Sequence, residues 1–243
     1  MSEAANSPFV QFEVTPLVPF KFGALDLSFT NSSLWMVFTI ATIALLMFQG
    51  IRKRQLVPSR WQSTSEVLVE FVSGIVRDNA GKEGMKYFPL IFTLFMFILF
   101  CNLLGMVPAS FTVTSHIIVT LAIAVILFIG VTIIGFVKHG LHFFSLLLPA
   151  GTPWWMMPLM IAIELVSYLS RPISLSIRLA ANMLAGHLLL TIIAGFVMIG
   201  VLGVVPFAFL IVFTGFEIFI ACLQAYIFTL LTCIYLNDAL HLH

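Results

Sequence analysis

The longest uncharged stretch of this chain sets the strongest limit on how it can fold. Residues 87 to 137 contain no Asp, Glu, Lys or Arg. A stretch of about 50 such residues is long enough for two helices across a bilayer, since each crossing needs about 20 residues. The sequence therefore predicts an all-α integral membrane protein that is surrounded by the lipid bilayer.

The composition excludes several classes of protein. Only 9% of the residues are charged, whereas soluble domains contain about 25% charged residues. The net charge of +1 provides no basic excess that could hold a nucleic acid. We therefore exclude a soluble enzyme, and we expect no nucleic-acid partner.

Apolar runs and the breaks between them predict three upright spans and one helix on the membrane surface. The basic residues concentrate between Arg52 and Lys86, and the positive-inside rule places this segment on the cytoplasmic side. Within it, apolar side chains recur every three or four positions, a pattern typical of an amphipathic helix in the membrane interface. Within one membrane domain over residues 1–243, we predict an outside segment over 1–33, spans over 34–50, 88–107 and 117–137, and the interfacial helix over 60–78.

The last third of the chain predicts two helices that are too long to stand upright in a bilayer. Their apolar runs cover residues 159–199 and 206–236. At about 1.5 Å per residue the first helix would measure about 60 Å, roughly twice the hydrocarbon thickness. Helices of this length must tilt or bend, so we predict a steeply tilted helical hairpin. The alternative is an ordinary pair of spans with kinks at Pro172 and Gly195.

The hairpin carries ionisable side chains where a charge is costly. Glu164, Arg178, His187 and Glu217 all lie in its two apolar runs, and a charge at mid-bilayer costs about 2.5–3.5 kcal/mol on insertion scales. Such residues face protein or water, and they often mark an ion path. A structural ion pair between Arg178 and one of the glutamates is the alternative. Asn102, in an upright span, is expected to form an interhelical hydrogen bond rather than to carry protons.

Helical spacing separates the ionisable groups of the hairpin. Glu164 and Arg178 are about four turns apart and share a face, whereas His187 points to the opposite side from Arg178. Glu217 and Gln224 are about two turns apart and share a face of the second long helix. Arg178 therefore separates proton-accepting groups instead of joining them in one path.

Small residues surround Arg178. Ser174, Ala181 and Ala185 lie along one stripe of the helix, with Asn182 one turn beyond the arginine. Small side chains let another helix approach closely, and packing within the chain would also explain them. Arginine, however, stays cationic at every accessible pH. A stripe centred on Arg178 therefore indicates a partner surface that carries a carboxylate.

Motifs of the hairpin resemble a known family. The segments SLSIRLAANMLAGH (174–187), FE (216–217) and QAYIFTLL (224–231), together with NLLGMVP (102–108), are similar to those of the a subunits of F-type ATP synthases. The resemblance extends over the whole chain, and His187 with Glu217 is similar to the mitochondrial and related bacterial members. Because no Arg-rich transit sequence is present, we expect a bacterial plasma (inner) membrane, with the mitochondrial inner membrane as the alternative.

The resemblance implies a stator subunit that faces a ring of c subunits. It implies that Arg178 is the essential arginine opposite the rotor carboxylate, with Gln224 as its neighbour. It further implies that His187 and Glu217 line one aqueous half-channel and that Glu164 lies in or near the other. Asn182 is expected in the proton path, and Ser174, Ala181 and Ala185 are expected to face the rotor.

The partners and chemistry implied by the resemblance lie mostly outside this chain. Besides the c-ring, the implied partners are the b subunits of the peripheral stalk and, indirectly, the F1 sector. The chain has no GxxxxGK[ST] motif, so we expect ATP chemistry on other subunits, and we expect no cofactor and no metal here. The rival classes are a stand-alone proton-coupled transporter and a purely structural membrane subunit whose charges are packing pairs.

Overall fold

The chain is an all-α integral membrane protein, as the sequence predicted. Among the residues that the computed structural model describes, five helical stretches are long and apolar enough to cross a bilayer, with Arg60–Gly105 counted as one stretch. The residues that the structure describes are 13–19, 21–22, 25–26, 28–52, 58–107, 110–140, 142–143, 155–197 and 203–241.

Six α-helices follow one another in the described part of the chain. They are α1 (Asn31–Arg52), α2 (Arg60–Gly84), α3 (Phe88–Gly105), α4 (Ile117–His139), α5 (Met157–Val197) and α6 (Val204–Leu240). A 3-10 turn over Met85–Tyr87 joins α2 to α3, and a second one covers Val113–Ser115. The last two residues of the predicted range 159–199 lie outside the described residues.

The C-terminal ends of α2 and α3 differ from the predicted ranges for local reasons. We predicted the surface helix over 60–78, but α2 continues to Gly84 through a break at Gly81, whose φ of 66° is accessible mainly to glycine. We predicted the next span to residue 107, but α3 ends at Gly105. A Cβ at residue 105 would lie 2.9 Å from the Thr112 side chain, so the returning chain packs directly on this glycine.

The N-terminal segment contains short strands that the sequence analysis did not predict. Strand β1 (Pro16–Val18) pairs antiparallel with β4 (Phe29–Thr30), and β2 (Lys21–Phe22) pairs antiparallel with β3 (Leu25–Asp26). Asn31 ties this segment to α1, because its Nδ2 donates to the Glu13 carbonyl at 2.9 Å and its Oδ1 accepts from the Thr15 amide at 3.2 Å.

The two C-terminal helices are far longer than a bilayer requires. Helix α5 has 41 residues and α6 has 37 residues. At about 1.5 Å per residue these are about 60 and 55 Å long, against about 30 Å of hydrocarbon. Helix α5 continues through both Pro172 and Gly195. Such helices fit a bilayer only when they tilt or bend.

Contacts within the chain define two compact units. Unit 1 comprises Met1–Val67, Met96–His116 and Leu179–Ala225, and unit 2 comprises Leu68–Phe95, Ile117–Arg178 and Tyr226–His243. Our sequence prediction treated the chain as one membrane domain and did not separate these units. Both long helices contribute residues to each unit.

One buried cluster of unit 2 includes aromatic side chains. Val131, Phe143 and Ala239 form a buried cluster against which Tyr168 and Tyr235 pack. The ring of Phe143 lies so close to Gly135 that a Cβ there would be 2.3 Å from a ring carbon. A side chain larger than hydrogen therefore cannot enter α4 at this point without displacing the ring.

Candidate functional site

One face of α5 is exposed along much of the helix. Its residues recur every three or four positions, and at about 100° per residue these spacings stay on one side. We call this surface the α5 exposed face. Its members are Ser174, Arg178, Ala181, Asn182, Ala185, Leu189, Ile192 and Phe196. All three small residues predicted to face a partner are thus accessible on α5.

Arg178 lies on this face without a partner among the residues that the structure describes. The described residues form two ion pairs, Lys138–Glu83 and Arg171–Asp238, and Arg178 belongs to neither. It also forms no hydrogen bond with any described residue. The structural ion pair that the sequence left open for Arg178 is therefore absent from the described part of the chain. A cation exposed on a membrane helix is costly against lipid alone, so this position calls for a partner or water.

Arg171, two turns before Arg178 on α5, is bound on several sides. Its Nη1 lies 3.3 Å from Asp238 Oδ2. Its guanidinium carbon lies 5.3 Å from the ring centre of Tyr168 and 4.7 Å from that of Tyr235, distances at which a cation is attracted to an aromatic face. We call these four residues the Arg171 clamp. The described residues of unit 2 thus bind the guanidinium of Arg171 but not that of Arg178.

Glu217 is the most deeply buried acidic side chain in the described part of unit 1. It is 3% exposed, and neither carboxyl oxygen has a hydrogen-bond partner among the described residues. A Cβ at Gly186 would lie 2.7 Å from Glu217 Oε1. The Glu217 carboxyl group on α6 therefore packs directly against Gly186 on α5. Burying an ionised carboxylate without a partner costs several kcal/mol. The group must therefore bind a proton or contact water.

The contact between Gly186 and Glu217 can be tested with an added methyl group. Because the resemblance implies that Glu217 lines a proton half-channel, we expect Gly186→Ala to displace the carboxyl group and to lower proton flow through the assembled complex by about tenfold, since small misplacements of reacting groups are costly. Gly195→Ala is the matched control, since a Cβ at residue 195 meets nothing within 4 Å. Proton conduction of membrane vesicles measures both variants. Equal conduction by the two would contradict a functional role for the contact.

His187 follows Gly186 on α5 and is buried at 8% exposure. Since Arg178 is exposed, the two side chains differ in environment as their spacing predicted. The backbone carbonyl of His187 accepts a hydrogen bond from Thr191 Oγ1 at 2.9 Å. Unit 1 thus buries both His187 and Glu217. His187 follows Gly186 directly in the sequence, and the Glu217 carboxyl group contacts the same glycine.

Amide side chains bridge the helices of unit 1. Asn182 Nδ2 donates to Gln224 Oε1 at 3.2 Å, so α5 and α6 are joined at this level. Gln224 is buried, and its Nε2 has no partner among the described residues. On α3, Asn102 Nδ2 donates to the Ala221 carbonyl at 3.3 Å. The predicted interhelical hydrogen bond of Asn102 is thereby confirmed.

Further polar atoms without partners are buried in unit 1. The hydroxyl groups of Ser32, Ser110 and Thr114 have no hydrogen-bond partner among the described residues, and the same holds for Asn102 Oδ1. Buried polar groups are normally satisfied by protein or by ordered water. Unit 1 therefore has the internal lining that water molecules need.

The sequence analysis did not predict that the connection between α3 and α4 contributes buried polar side chains to unit 1. We predicted it only as a turn, but Ser110 to Ser115 are buried. Thr112 Oγ1 donates to the Gly105 carbonyl at 3.0 Å, and the His116 ring stacks on Phe111 with centroids 5.0 Å apart. Burial lowers the pKa of His116 below its usual value. The signal in the sequence was a polar run between two apolar spans.

Glu164 is the acidic side chain of α5. It is half-buried on the part of α5 that belongs to unit 2. It forms no hydrogen bond or ion pair with a described residue. By helical spacing it is on the same side of α5 as Arg178.

Comparison with known proteins identifies the family. The family described as ATP synthase A chain matches residues 33–237. ATP synthase subunit a of Rhodospirillum rubrum is 56% identical over 240 residues, which cover 98% of this chain and 100% of the relative. ATP synthase subunit a of Paramagnetospirillum magneticum is 54% identical over 245 residues, with 98% and 99% covered. That of Parvibaculum lavamentivorans is 52% identical over 242 residues, with 96% and 93% covered. The resemblance seen in the hairpin motifs is confirmed, and this chain belongs to the ATP synthase A chain family.

Proposed function

We propose that this chain is the proton-translocating stator subunit of a bacterial F-type ATP synthase, located in the inner membrane. The family and the five long apolar helices support this role. The observation that carries the detailed proposal is Arg178, a cation that has no partner among the described residues and lies on an exposed face of a membrane helix. Its proposed partner is the carboxylate of a c-subunit ring, while b subunits hold the chain still and F1 is coupled indirectly.

The first half of the proposed cycle uses the interior of unit 1. Protons enter a water-filled half-channel lined by His187 and Glu217, with Asn182 and Gln224 near its inner end. The buried polar atoms without partners support water in this region. A proton leaving the half-channel neutralises a c-ring carboxylate. The neutral acid can then rotate into lipid, where an ionised one could not.

The second half of the cycle depends on Arg178. A returning protonated carboxyl group meets the guanidinium, which favours the ionised form and so drives the proton into the other half-channel. Glu164 lies in or near that second half-channel. The carboxylate then passes Arg178 as an anion. Each proton gains about 2.3 kcal/mol per 100 mV of membrane potential.

Arg178 also keeps the two half-channels separate. It cannot release its proton at accessible pH, and its positive charge repels protons. Direct flow from one half-channel to the other is therefore blocked. Protons cross only by riding on the rotor, which couples their flow to rotation.

The small residues of the α5 exposed face are proposed to let the rotor pass closely. We expect Ala181→Phe to leave the complex assembled and to lower ATP synthesis by about tenfold, because an added ring overfills a close helix contact. The matched control is Ala194→Phe. Ala194 is also exposed on α5, but it is about 140° around the helix from residue 181.

Rates of ATP synthesis in inverted vesicles, normalised to the amount of assembled complex, measure the difference. The proposal requires the phenylalanine at 181 to slow synthesis much more than the one at 194. If both variants work at the wild-type rate, the rotor does not pass this face of α5.

A further inference from the structure

The basic end of unit 2 contains a pocket that the proposed proton path does not use. The pocket has a volume of about 520 Å³, and its lining includes Lys82, Lys86, Lys138 and the apolar side chains of Ile133 and Val137. We propose that it binds an anionic phospholipid, with the headgroup phosphate between the lysines and an acyl chain along α4.

Two of the three lysines have their charge free for a ligand. Lys138 is paired with Glu83, which also lines the pocket. Lys82 and Lys86 are exposed and form no hydrogen bond or ion pair with a described residue. The pocket therefore carries a net positive charge that nothing in the described part of unit 2 balances. A phosphate group supplies the missing negative charge through charge-assisted hydrogen bonds.

The position of the pocket matches the headgroup region. It lies where α2 and α4 end and where the 3-10 turn leads into α3. The basic segment that includes α2 is on the cytoplasmic side by the positive-inside rule. Anionic lipids give the cytoplasmic leaflet a negative surface, and basic pockets between membrane helices on that side bind their headgroups.

The apolar wall distinguishes a phospholipid from a free phosphate ion. Ile133 is 55% exposed and Val137 is 83% exposed, and they are one turn apart on α4. Ile126 and Ile129 continue the exposed apolar line along this helix. From residue 126 to residue 137 the line is about 17 Å long at about 1.5 Å per residue. It can therefore support an acyl chain that descends from the lysines.

The test measures lipid binding by the whole ATP synthase complex. The purified complex is delipidated in detergent and titrated with phosphatidylglycerol, and bound lipid is counted by mass spectrometry. We expect Lys82→Gln/Lys86→Gln to weaken the binding of one phosphatidylglycerol molecule by about 30-fold, since each lysine near an anionic headgroup adds to the binding affinity. Arg60→Gln/Arg77→Gln is the control. It removes the same amount of positive charge from exposed positions on α2 that do not line the pocket.

Three further arms decide what the pocket binds. Phosphatidylcholine should bind this site much more weakly than phosphatidylglycerol. Val137→Ser should weaken the binding of phosphatidylglycerol but not that of inorganic phosphate. Inorganic phosphate should compete only weakly. The proposal is overturned if the control variant loses the same binding event, if phosphatidylcholine binds as tightly as phosphatidylglycerol, or if inorganic phosphate competes as well as the lipid. Because the readout is binding, failure here leaves the proposed proton path untouched.

Discussion

Arg178→Ala is expected to leave the complex assembled while ATP synthesis and ATP-driven proton pumping fall by about 100-fold or more. Arg178 is exposed and forms no hydrogen bond or ion pair with a described residue, so its loss removes little stability from the chain. Without the cation, however, nothing drives the proton from the rotor carboxylate, and fixed charges of this kind are worth factors of 100 to 1,000. Acidification of inverted vesicles by ATP measures the pumping.

Arg171→Ala is the contrasting variant on the same helix. It loses the Arg171 clamp, in which Asp238, Tyr168 and Tyr235 hold the guanidinium. Loss of such a charged hydrogen bond costs about 2 kcal/mol. We therefore expect less assembled complex but near-normal pumping by each complex that remains.

The opposite result for Arg178 would favour the purely structural subunit. In that interpretation Arg178→Ala reduces assembly and leaves coupling intact in whatever complex forms. Normal ATP-driven pumping by assembled Arg178→Ala complexes would therefore refute the proposed mechanism. A stand-alone transporter would in turn retain proton transport after separation from the c-ring and the ATP hydrolase head.

Glu217→Gln is expected to lower proton conduction by about 100-fold with little change in assembly. The amide has nearly the shape of the carboxylic acid, so it should fit the buried position next to Gly186. It cannot take up and release a proton in the cycle, and positioned acid–base groups contribute factors of 100 or more. Passive conduction through membranes stripped of F1 measures this step directly.

Two variants make the Glu217 experiment specific. Glu217→Asp keeps an ionisable group and should retain a clearly larger share of the conduction than Glu217→Gln. Glu70→Gln removes a carboxylate from an exposed position on α2, and it should conduct normally. Unchanged conduction by Glu217→Gln would show that protons do not use this carboxyl group.

Features set by local pattern were predictable from the sequence. The apolar runs at 159–199 and 206–236 correspond to helices Met157–Val197 and Val204–Leu240, because the membrane requires long uninterrupted apolar segments. The different environments of Arg178 and His187 also followed from helical spacing alone, since about 100° of rotation per residue fixes their relative directions.

Features that depend on tertiary approach were not predictable. The contact of the Glu217 carboxyl group with Gly186 joins two helices, and spacing within one helix contains no information about it. The Arg171 clamp is another example, because its aspartate and one of its tyrosines come from the far end of α6. The burial of residues 110–115 likewise depends on what packs over a short polar run.

The Arg171 clamp has a mechanical consequence for the proposed rotation of the c-ring. In the proposed cycle, a rotor carboxylate attracted to Arg178 pulls α5 sideways, and an equal and opposite force acts on the c-ring. The clamp holds α5 to the end of α6 only two turns away, so this load reaches a second helix over a short lever arm. Under the proposed function, this attachment favours turning of the ring over bending of the helix that carries Arg178.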